Sequence, residues 1–194
     1  IYMSTVKNGK HTDPVWEVHW STSTEVLQFF SISSDGRVAS WVMSKNELQY
    51  SDVMQLAMSD TLDQNDDPET ALIGLSGGTC FDFARENENI FIVGTEEGHI
   101  RRCSKAYNAQ YLETYDGHHM AVYAVRWNAF HPSVFLSCSA DWTVKLWEKS
   151  SKRALMSFDL ASSVGDVVWS PYSSTVFAAV TADGKVHVFD LNRN

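Results

Sequence analysis

The chain has 194 residues with a formal net charge of −9, 44% apolar residues, and seven Trp, seven Tyr and ten Phe. This length allows one or two domains with a substantial core. The negative net charge and the scattered Lys and Arg argue against nucleic acid as a partner, because a nucleic-acid binder needs a basic stripe. No apolar run approaches the roughly 18 residues of a membrane span, and the N-terminus lacks a signal-peptide layout, so we expect no membrane partner.

The first repeating unit is predicted to occupy residues 11–58. Its predicted strands are 15–20, 27–33, 38–42 and an outer strand within 48–58. Asp35-Gly36 has the composition of a tight turn between the second and third strands. We interpret residues 1–6 as the end of a preceding unit, and we expect the chain, which begins with Ile1, to be a piece of a longer protein.

An insertion follows at residues 59–78. Its first half is acidic, with Asp60, Asp63, Asp66, Asp67 and Glu69. Two interpretations are open: a solvated loop between units, or a contact loop for a partner. The spacing does not fit a calcium loop, because the glycine that an EF-hand loop needs at its sixth position is missing.

The other three units are predicted at 79–115, 117–158 and 160–194. The predicted strands of the second unit are 80–83, 90–95, 99–103 and 109–115. Those of the third are 122–127, 134–139, 143–147 and 154–158. Those of the fourth are 164–169, 176–181 and 185–190, after which no fourth strand is clear.

Two sequence markers keep one register through the four units. The aromatic residue that ends the first strand recurs at intervals of 63, 44 and 42, at Trp20, Phe83, Trp127 and Trp169. The acidic residue of the turn recurs at 62, 44 and 42, at Asp35, Glu97, Asp141 and Asp183. A period in the low forties is that of a four-stranded propeller blade. We therefore predict an all-β fold, a WD40-type β-propeller with four blades of a larger, seven-bladed ring; a closed four-bladed ring is the alternative.

The first and third units share a set of four polar or aromatic residues that the second and fourth units lack. The two sets are His11, Ser31, Asp35 and Trp41, and His118, Ser137, Asp141 and Trp147. A Ser-His-Asp set can indicate acyl-transfer catalysis, but a catalytic triad would not recur at the same place in two repeats. We interpret each set as a structural tetrad, a buried chain of hydrogen bonds in which every polar group has a partner. We predict no catalytic residue.

Cofactors and metals are not expected. His119 and His131 lie near the second tetrad but have no Cys or carboxylate at zinc spacing, and residues 74–79 (GLSGGT) lack the Lys of a phosphate-binding loop. The three cysteines, Cys80, Cys103 and Cys138, lie far apart without a CxxC pair. We interpret them as reduced, buried strand residues in a reducing compartment, with a metal site or redox pair as the alternative.

One edge of the blades carries an aligned aromatic pair, Trp16 and Tyr123, each one residue into a first strand. We interpret both as candidate anchors of a partner-binding rim; the alternative is that they fill gaps between blades. A propeller enzyme or a peptide reader would need a polar ring at the central channel, and we find no such ring in these four units.

Some strings are more particular than a WD-type ending such as SADWTVKLWE (139–148). TEEGHIRRCSK (95–105) and WSPYSSTVFAAVTADGK (169–185) resemble the propeller of axonemal dynein intermediate chains, most of all the outer-arm chains. The likeness covers nearly the whole chain and is weakest in the acidic insertion. It implies a non-catalytic subunit of a microtubule motor, in the cytoplasm and cytoskeleton, at the axoneme of a cilium or flagellum.

The resemblance also implies partners. The family's propeller is similar to a clamp on the tail of a dynein heavy chain, beside a second intermediate chain, and the assembly docks the arm on the doublet microtubule for ciliary motility. Light chains bind an N-terminal region that this sequence does not include. The alternatives are a cytoplasmic or intraflagellar-transport dynein intermediate chain, or a generic WD-repeat interaction scaffold.

Overall fold

The computed structural model describes residues 2–22, 26–45, 47–58 and 74–193. These residues form four antiparallel β-sheets and one short 3-10 turn, Val6–Asn8. In every sheet, strands that follow each other in the chain are hydrogen-bonded neighbours. The all-β class and the repeated meander of propeller blades are therefore confirmed, whereas the number of blades in the complete ring stays a prediction.

The four sheets follow one another along the chain. The first contains β1 (Val15–Trp20), β2 (Gln28–Ser33), β3 (Arg37–Met43) and β4 (Leu48–Gln55). The second contains β5 (Gly78–Ala84), β6 (Asn87–Thr95), β7 (His99–Ser104) and β8 (Glu113–Asp116). The third contains β9 (Val122–Trp127), β10 (Val134–Ser139), β11 (Thr143–Glu148) and β12 (Met156–Asp159). The fourth contains β13 (Val164–Trp169), β14 (Val176–Thr181) and β15 (Val186–Asp190).

Hydrophobic clusters fill the spaces between consecutive sheets. Phe30 and Ile32 of the first sheet pack with Phe81 and Phe91 of the second in one such cluster. The second and third sheets meet in another cluster, and the third and fourth meet in a third. The first strands β1, β5, β9 and β13 contact each other in turn, so the sheets are stacked side by side with these strands on the inside.

The outer strand of the second sheet is shorter than the prediction of 109–115. Strand β8 begins only at Glu113, because the residues before it are held elsewhere. The Tyr111 hydroxyl donates a hydrogen bond to the carbonyl oxygen of Ala57 at 2.8 Å, and its ring lies 4.6 Å from the Arg101 guanidinium. Tyr111 therefore contacts the segment that follows β4 instead of extending the strand.

The N-terminal residues lie against the first sheet where the chain passes from β3 to β4. The Asn8 side-chain amide donates to the Leu48 carbonyl oxygen at 3.2 Å, and the Tyr2 hydroxyl donates to the Lys45 carbonyl oxygen at 3.1 Å. Residues 2–5 form no strand, and the assignment of 1–6 to a preceding blade stays a prediction. Most of the predicted insertion, 59–73, lies outside the described residues.

The ends of the strands form two rims. The upper rim carries the turns between second and third strands and the connections from one sheet to the next. The lower rim is at the opposite ends of the strands. Three of the four upper turns contain a glycine with positive φ, Gly36, Gly98 and Gly184, as tight turns require. In the third sheet this place is taken by Trp142, with a φ of 75°.

Candidate functional site

The structure brings together the four residues of the set in the third sheet. The His118 Nδ1 atom lies 2.9 Å from the Asp141 carboxylate, and its Nε2 atom lies 2.7 Å from the Ser137 hydroxyl. The Trp147 indole N–H donates to the same hydroxyl oxygen at 2.8 Å. The Thr143 hydroxyl adds a 2.7 Å hydrogen bond to the second carboxylate oxygen of Asp141. Every polar group of the set has a partner.

The set in the first sheet has the same geometry. His11 lies 2.8 Å from both the Asp35 carboxylate and the Ser31 hydroxyl, and the Trp41 indole N–H donates to Ser31 at 2.7 Å. The backbone N–H of Arg37 donates to the Asp35 carboxylate at 3.0 Å. In both sheets the carboxylate therefore fastens the upper turn to the segment that precedes the first strand.

Electrostatics fixes the protonation states of the third-sheet set. Burial raises the pKa of the Asp141 carboxyl, but hydrogen bonds from His118 and Thr143 outweigh burial and hold that pKa well below its ordinary value. Burial lowers the pKa of the His118 imidazole, and the bond to Asp141 offsets only part of this effect. At neutral pH the carboxylate is therefore charged and the imidazole neutral, with Nδ1–H donating to Asp141 and Nε2 accepting from Ser137.

The second and fourth sheets stabilise their turn acids differently. The Ser76 hydroxyl donates to the Glu97 carboxylate in place of an imidazole. In the fourth sheet, the Asp183 carboxylate accepts a hydrogen bond from Thr181 at 2.6 Å and lies 2.6 Å from the Lys185 ammonium. These two partners, Lys185 first, lower the pKa of Asp183 to about 2.

The geometry of the two sets offers no route to acyl transfer. Ser137 and Ser31 are buried, and each hydroxyl oxygen already accepts an indole N–H. A nucleophilic serine needs an exposed oxygen facing a cleft. We propose that both sets act in stability, as the sequence indicates.

The candidate rim residues Trp16 and Tyr123 are both at the upper rim and both exposed, at 59% and 46%. The Trp16 indole N–H donates to the Ser34 hydroxyl at 2.7 Å, which fixes the orientation of the ring. Sequence reasoning missed a third aromatic residue of this surface, Trp142, which is 52% exposed. A signal was available, because Trp142 stands where the other three turns have glycine. Trp16, Tyr123 and Trp142 are called the aromatic rim below.

Charged residues also meet at the inner strands, where the sequence suggested no polar ring. The Arg126 guanidinium lies 3.0 Å from Glu17 and 3.7 Å from Asp166. The other oxygen of Glu17 accepts the Phe81 backbone N–H at 2.8 Å. Arg126 therefore connects the first, third and fourth sheets, and Glu17 connects the first sheet to the second. The signal that could have revealed this cluster is the placement of charges within otherwise apolar first strands.

The described residues contain no group of three or more His, Cys, Asp or Glu side chains that could hold a metal ion. His119 and His131 lie in separate loops: the His119 backbone N–H donates to Asp141, and that of His131 donates to the Asn128 side chain. The three cysteines are buried and unpaired as disulfides. Within the same part of the chain, no helix is long and apolar enough to cross a membrane.

Comparison with known families matches the repeats to the WD40 family, described as WD domain, G-beta repeat, at residues 109–148 and 154–190. The four meander sheets and these repeats define the class: the chain is made of WD-repeat β-propeller blades.

Comparison with individual proteins makes the assignment more particular. The whole chain aligns with Dynein intermediate chain 2, ciliary, of Heliocidaris crassispina at 58% identity. It aligns over its full length at 48% identity with the 78 kDa intermediate chain of the flagellar outer arm of Chlamydomonas reinhardtii, and at 53% with Dynein axonemal intermediate chain 1 of Bos taurus. The chain is therefore a relative of the axonemal dynein intermediate chains, as the resemblance predicted, and is placed with them in the axoneme of a cilium or flagellum. It spans 28%, 29% and 28% of the length of these three proteins.

Proposed function

We propose that the protein is a non-catalytic scaffold subunit of an outer-arm axonemal dynein. The observation that carries this proposal is the similarity over the whole chain to intermediate chains of ciliary and flagellar outer-arm dyneins. The same similarity favours an axonemal over a cytoplasmic or intraflagellar-transport dynein. In this role the propeller binds the tail of a dynein heavy chain, beside a second intermediate chain, and helps to assemble the arm and dock it on the doublet microtubule.

The aromatic rim is our candidate for the heavy-chain contact. Large, exposed aromatic residues are the side chains that most often anchor protein interfaces, because they bury much area at a small cost in conformational entropy. The positive φ of Trp142 carries a conformational energy cost that a glycine at this position would not have. A strained, exposed tryptophan at this place supports a role in binding rather than in packing.

Capture of a heavy-chain tail by the full-length protein tests the proposal. Wild type would be compared with Trp16→Ala, Tyr123→Ala and Trp142→Gly, with circular dichroism as the check of folding. We expect wild type to capture the tail and each rim variant to weaken capture by roughly tenfold or more, as anchor residues do. Tyr172→Ala is the matched control, because Tyr172 is a 92% exposed aromatic residue at the lower rim.

The possible outcomes test the heavy-chain role and the aromatic rim separately. Capture that persists in all three folded rim variants would retain the dynein role and reject the aromatic rim as the contact. Absence of capture by folded wild type would reject the heavy-chain role and leave a generic WD-repeat scaffold.

A further inference from the structure

A groove opens at the lower rim between the second and third sheets, on the opposite edge from the aromatic rim. Its cavity volume is about 370 Å³. Its wall includes Arg102 and Lys149 as cations, Glu86 as an anion, and the apolar surfaces of Leu112, Pro132 and Trp127. The groove therefore combines an apolar lining with an excess of hydrogen-bond donors.

Trp127 has an indole N–H without an acceptor among the described residues, although its side chain is only 3% exposed. Buried indole N–H groups are normally hydrogen-bonded, and an unpaired one costs free energy. The aligned tryptophan of the next sheet provides a comparison: the Trp169 indole N–H donates to the Arg126 carbonyl oxygen at 3.0 Å. A buried indole at this position of the repeat can therefore be hydrogen-bonded, and that of Trp127 is not.

Arg102 supplies a second donor of this kind in the same wall. Its Nε–H group is buried and has no acceptor within the described part of the chain. Its Nη1 atom makes one long contact, 3.5 Å, with the Lys149 carbonyl oxygen, and that oxygen already accepts the Tyr115 hydroxyl at 2.9 Å. Two buried donors without acceptors therefore lie beside an exposed lysine, in a wall whose only charged acceptor, in the part of the chain that the structure describes, is Glu86.

We propose that this groove binds a carboxylate side chain of an acidic segment in a partner protein. Both donors are buried, so the side chains at the groove must shift to admit an ionised oxygen, which would then accept from Arg102 and from the indole N–H of Trp127. Charge-assisted bonds of this type are the stronger class of hydrogen bond. The apolar wall fits an aliphatic stem of the kind that glutamate carries. Because the site is at the lower rim, it leaves the aromatic rim free, and the two surfaces can hold different partners at once.

A labelled hexaglutamate peptide is the probe, titrated into the full-length protein by fluorescence anisotropy at constant ionic strength. Within this chain, whose net charge is −9, overall charge repels an acidic peptide, so binding to the groove would depend on local contacts. Trp127→Phe keeps an aromatic ring and removes the indole N–H, and Arg102→Lys keeps the positive charge and removes the guanidinium N–H donors. We expect each variant to weaken peptide binding roughly tenfold.

Two matched controls accompany these variants. Trp169→Phe removes the aligned N–H, and Lys185→Gln removes an exposed cation at the upper rim; both should leave peptide affinity within about twofold of wild type. Thermal melting checks that each variant is folded, and Arg102→Lys keeps the test valid where Trp127→Phe is unstable.

Three results would overturn the proposal. The first is no peptide binding by folded wild type. The second is equal affinity for wild type, Trp127→Phe and Arg102→Lys. The third is binding of inorganic phosphate, sensitive to the same variants, without binding of hexaglutamate, which would assign the groove to a phosphate ligand. None of these measurements involves the heavy chain, so their outcome is independent of the proposed function.

Discussion

The guanidinium of Arg126 in the third sheet lies 3.0 Å from the carboxylate of Glu17 in the first sheet, so one ion pair joins two sheets that are not neighbours in sequence. Both side chains are largely buried, at 25% and 18% exposed. Burial raises the pKa of Glu17, but the neighbouring His19 and Arg126 outweigh it and hold that pKa below its ordinary value. The pair therefore stays ionised and helps to hold the inner strands together.

Replacing Arg126 by Met should destabilise the protein. The variant leaves the Glu17 carboxylate largely buried without its cation, and we expect the free energy of unfolding to fall by about 2 kcal/mol, between the values for surface and fully buried pairs. Urea denaturation of the full-length protein measures the change. The Glu17→Gln/Arg126→Met double variant should recover part of the loss, and Arg193→Met, which removes an exposed partner of Asp190, should change little. A loss no greater than that of Arg193→Met would show that the pair contributes nothing.

Replacing Asp141 by Ala should also destabilise the protein. The variant removes the acceptor of His118 and Thr143, and unsatisfied buried groups of this type cost about 1–3 kcal/mol. His118→Ala should give a loss of similar size. Thermal and urea denaturation measure both, with Asp183→Ala as the control because its carboxylate is in contact with solvent and should cost less. Unchanged melting of Asp141→Ala and His118→Ala would reject the structural role of the set.

The same residues predict loss of stability in acid. The pKa of Asp141 is lower in the folded than in the unfolded chain, because its hydrogen bonds outweigh burial. Its contribution to the free energy of unfolding is therefore fully present above the unfolded pKa of about 4 and is lost as the pH falls below that value. The pKa of His118 is lowered by burial, so protonation favours the unfolded chain below about pH 6.5. We expect the free energy of unfolding to decrease as the pH falls below about 6.5, through His118, and to decrease further below about pH 4, through Asp141. Only the second decrease should be smaller in Asp141→Asn, because Asp141 is the group that titrates in that range. Profiles of stability against pH that have the same shape in wild type and Asp141→Asn would contradict this account.

Trp142→Gly should stabilise the fold while weakening partner binding. Glycine removes a steric cost of about 1–2 kcal/mol at this φ but makes the unfolded chain more flexible, which offsets about 0.4–1 kcal/mol. The variant should therefore gain about 0.5–1 kcal/mol in urea denaturation. Gly98→Ala is the reverse control: Gly98 has a φ of 96°, and an added Cβ would lie 2.7 Å from the His118 carbonyl oxygen, so this variant should be destabilised. Destabilisation by Trp142→Gly would mean that the indole packs on the rim and has a structural role.

The three cysteines should be inert in the native protein. Burial raises the pKa of the Cys80 thiol to about 12 and raises the pKa of Cys103 and Cys138 as well. Because the thiolate is the reactive form, iodoacetamide should label these positions only after denaturation, as read by peptide mass spectrometry. Rapid labelling of any of the three in the folded protein would show that its strand opens locally.

The strand order of each sheet and the grouping of the two four-residue sets could be predicted from the sequence, because both follow from local rules. Alternation and turn chemistry fix antiparallel neighbours, and the repeat register places His118 and Asp141 at the same edge of one sheet. The register even contained an unused signal, since Trp142 stands where the other turns have glycine.

The contacts between sheets could not be predicted in this way, because they depend on how the sheets pack. The pairing of Glu17 with Arg126 depends on how far the inner strands lie from each other, and no periodicity encodes this distance. The shortened β8 also involves a contact between distant segments, because Tyr111 bonds to Ala57 in the segment that follows β4. Trp127 and Trp169 are indistinguishable in the repeat, but one indole N–H finds a carbonyl oxygen of the preceding sheet and the other does not. Hydrogen-bond partners across an interface depend on the relative orientation of two packed sheets, which the sequence of either sheet alone does not specify.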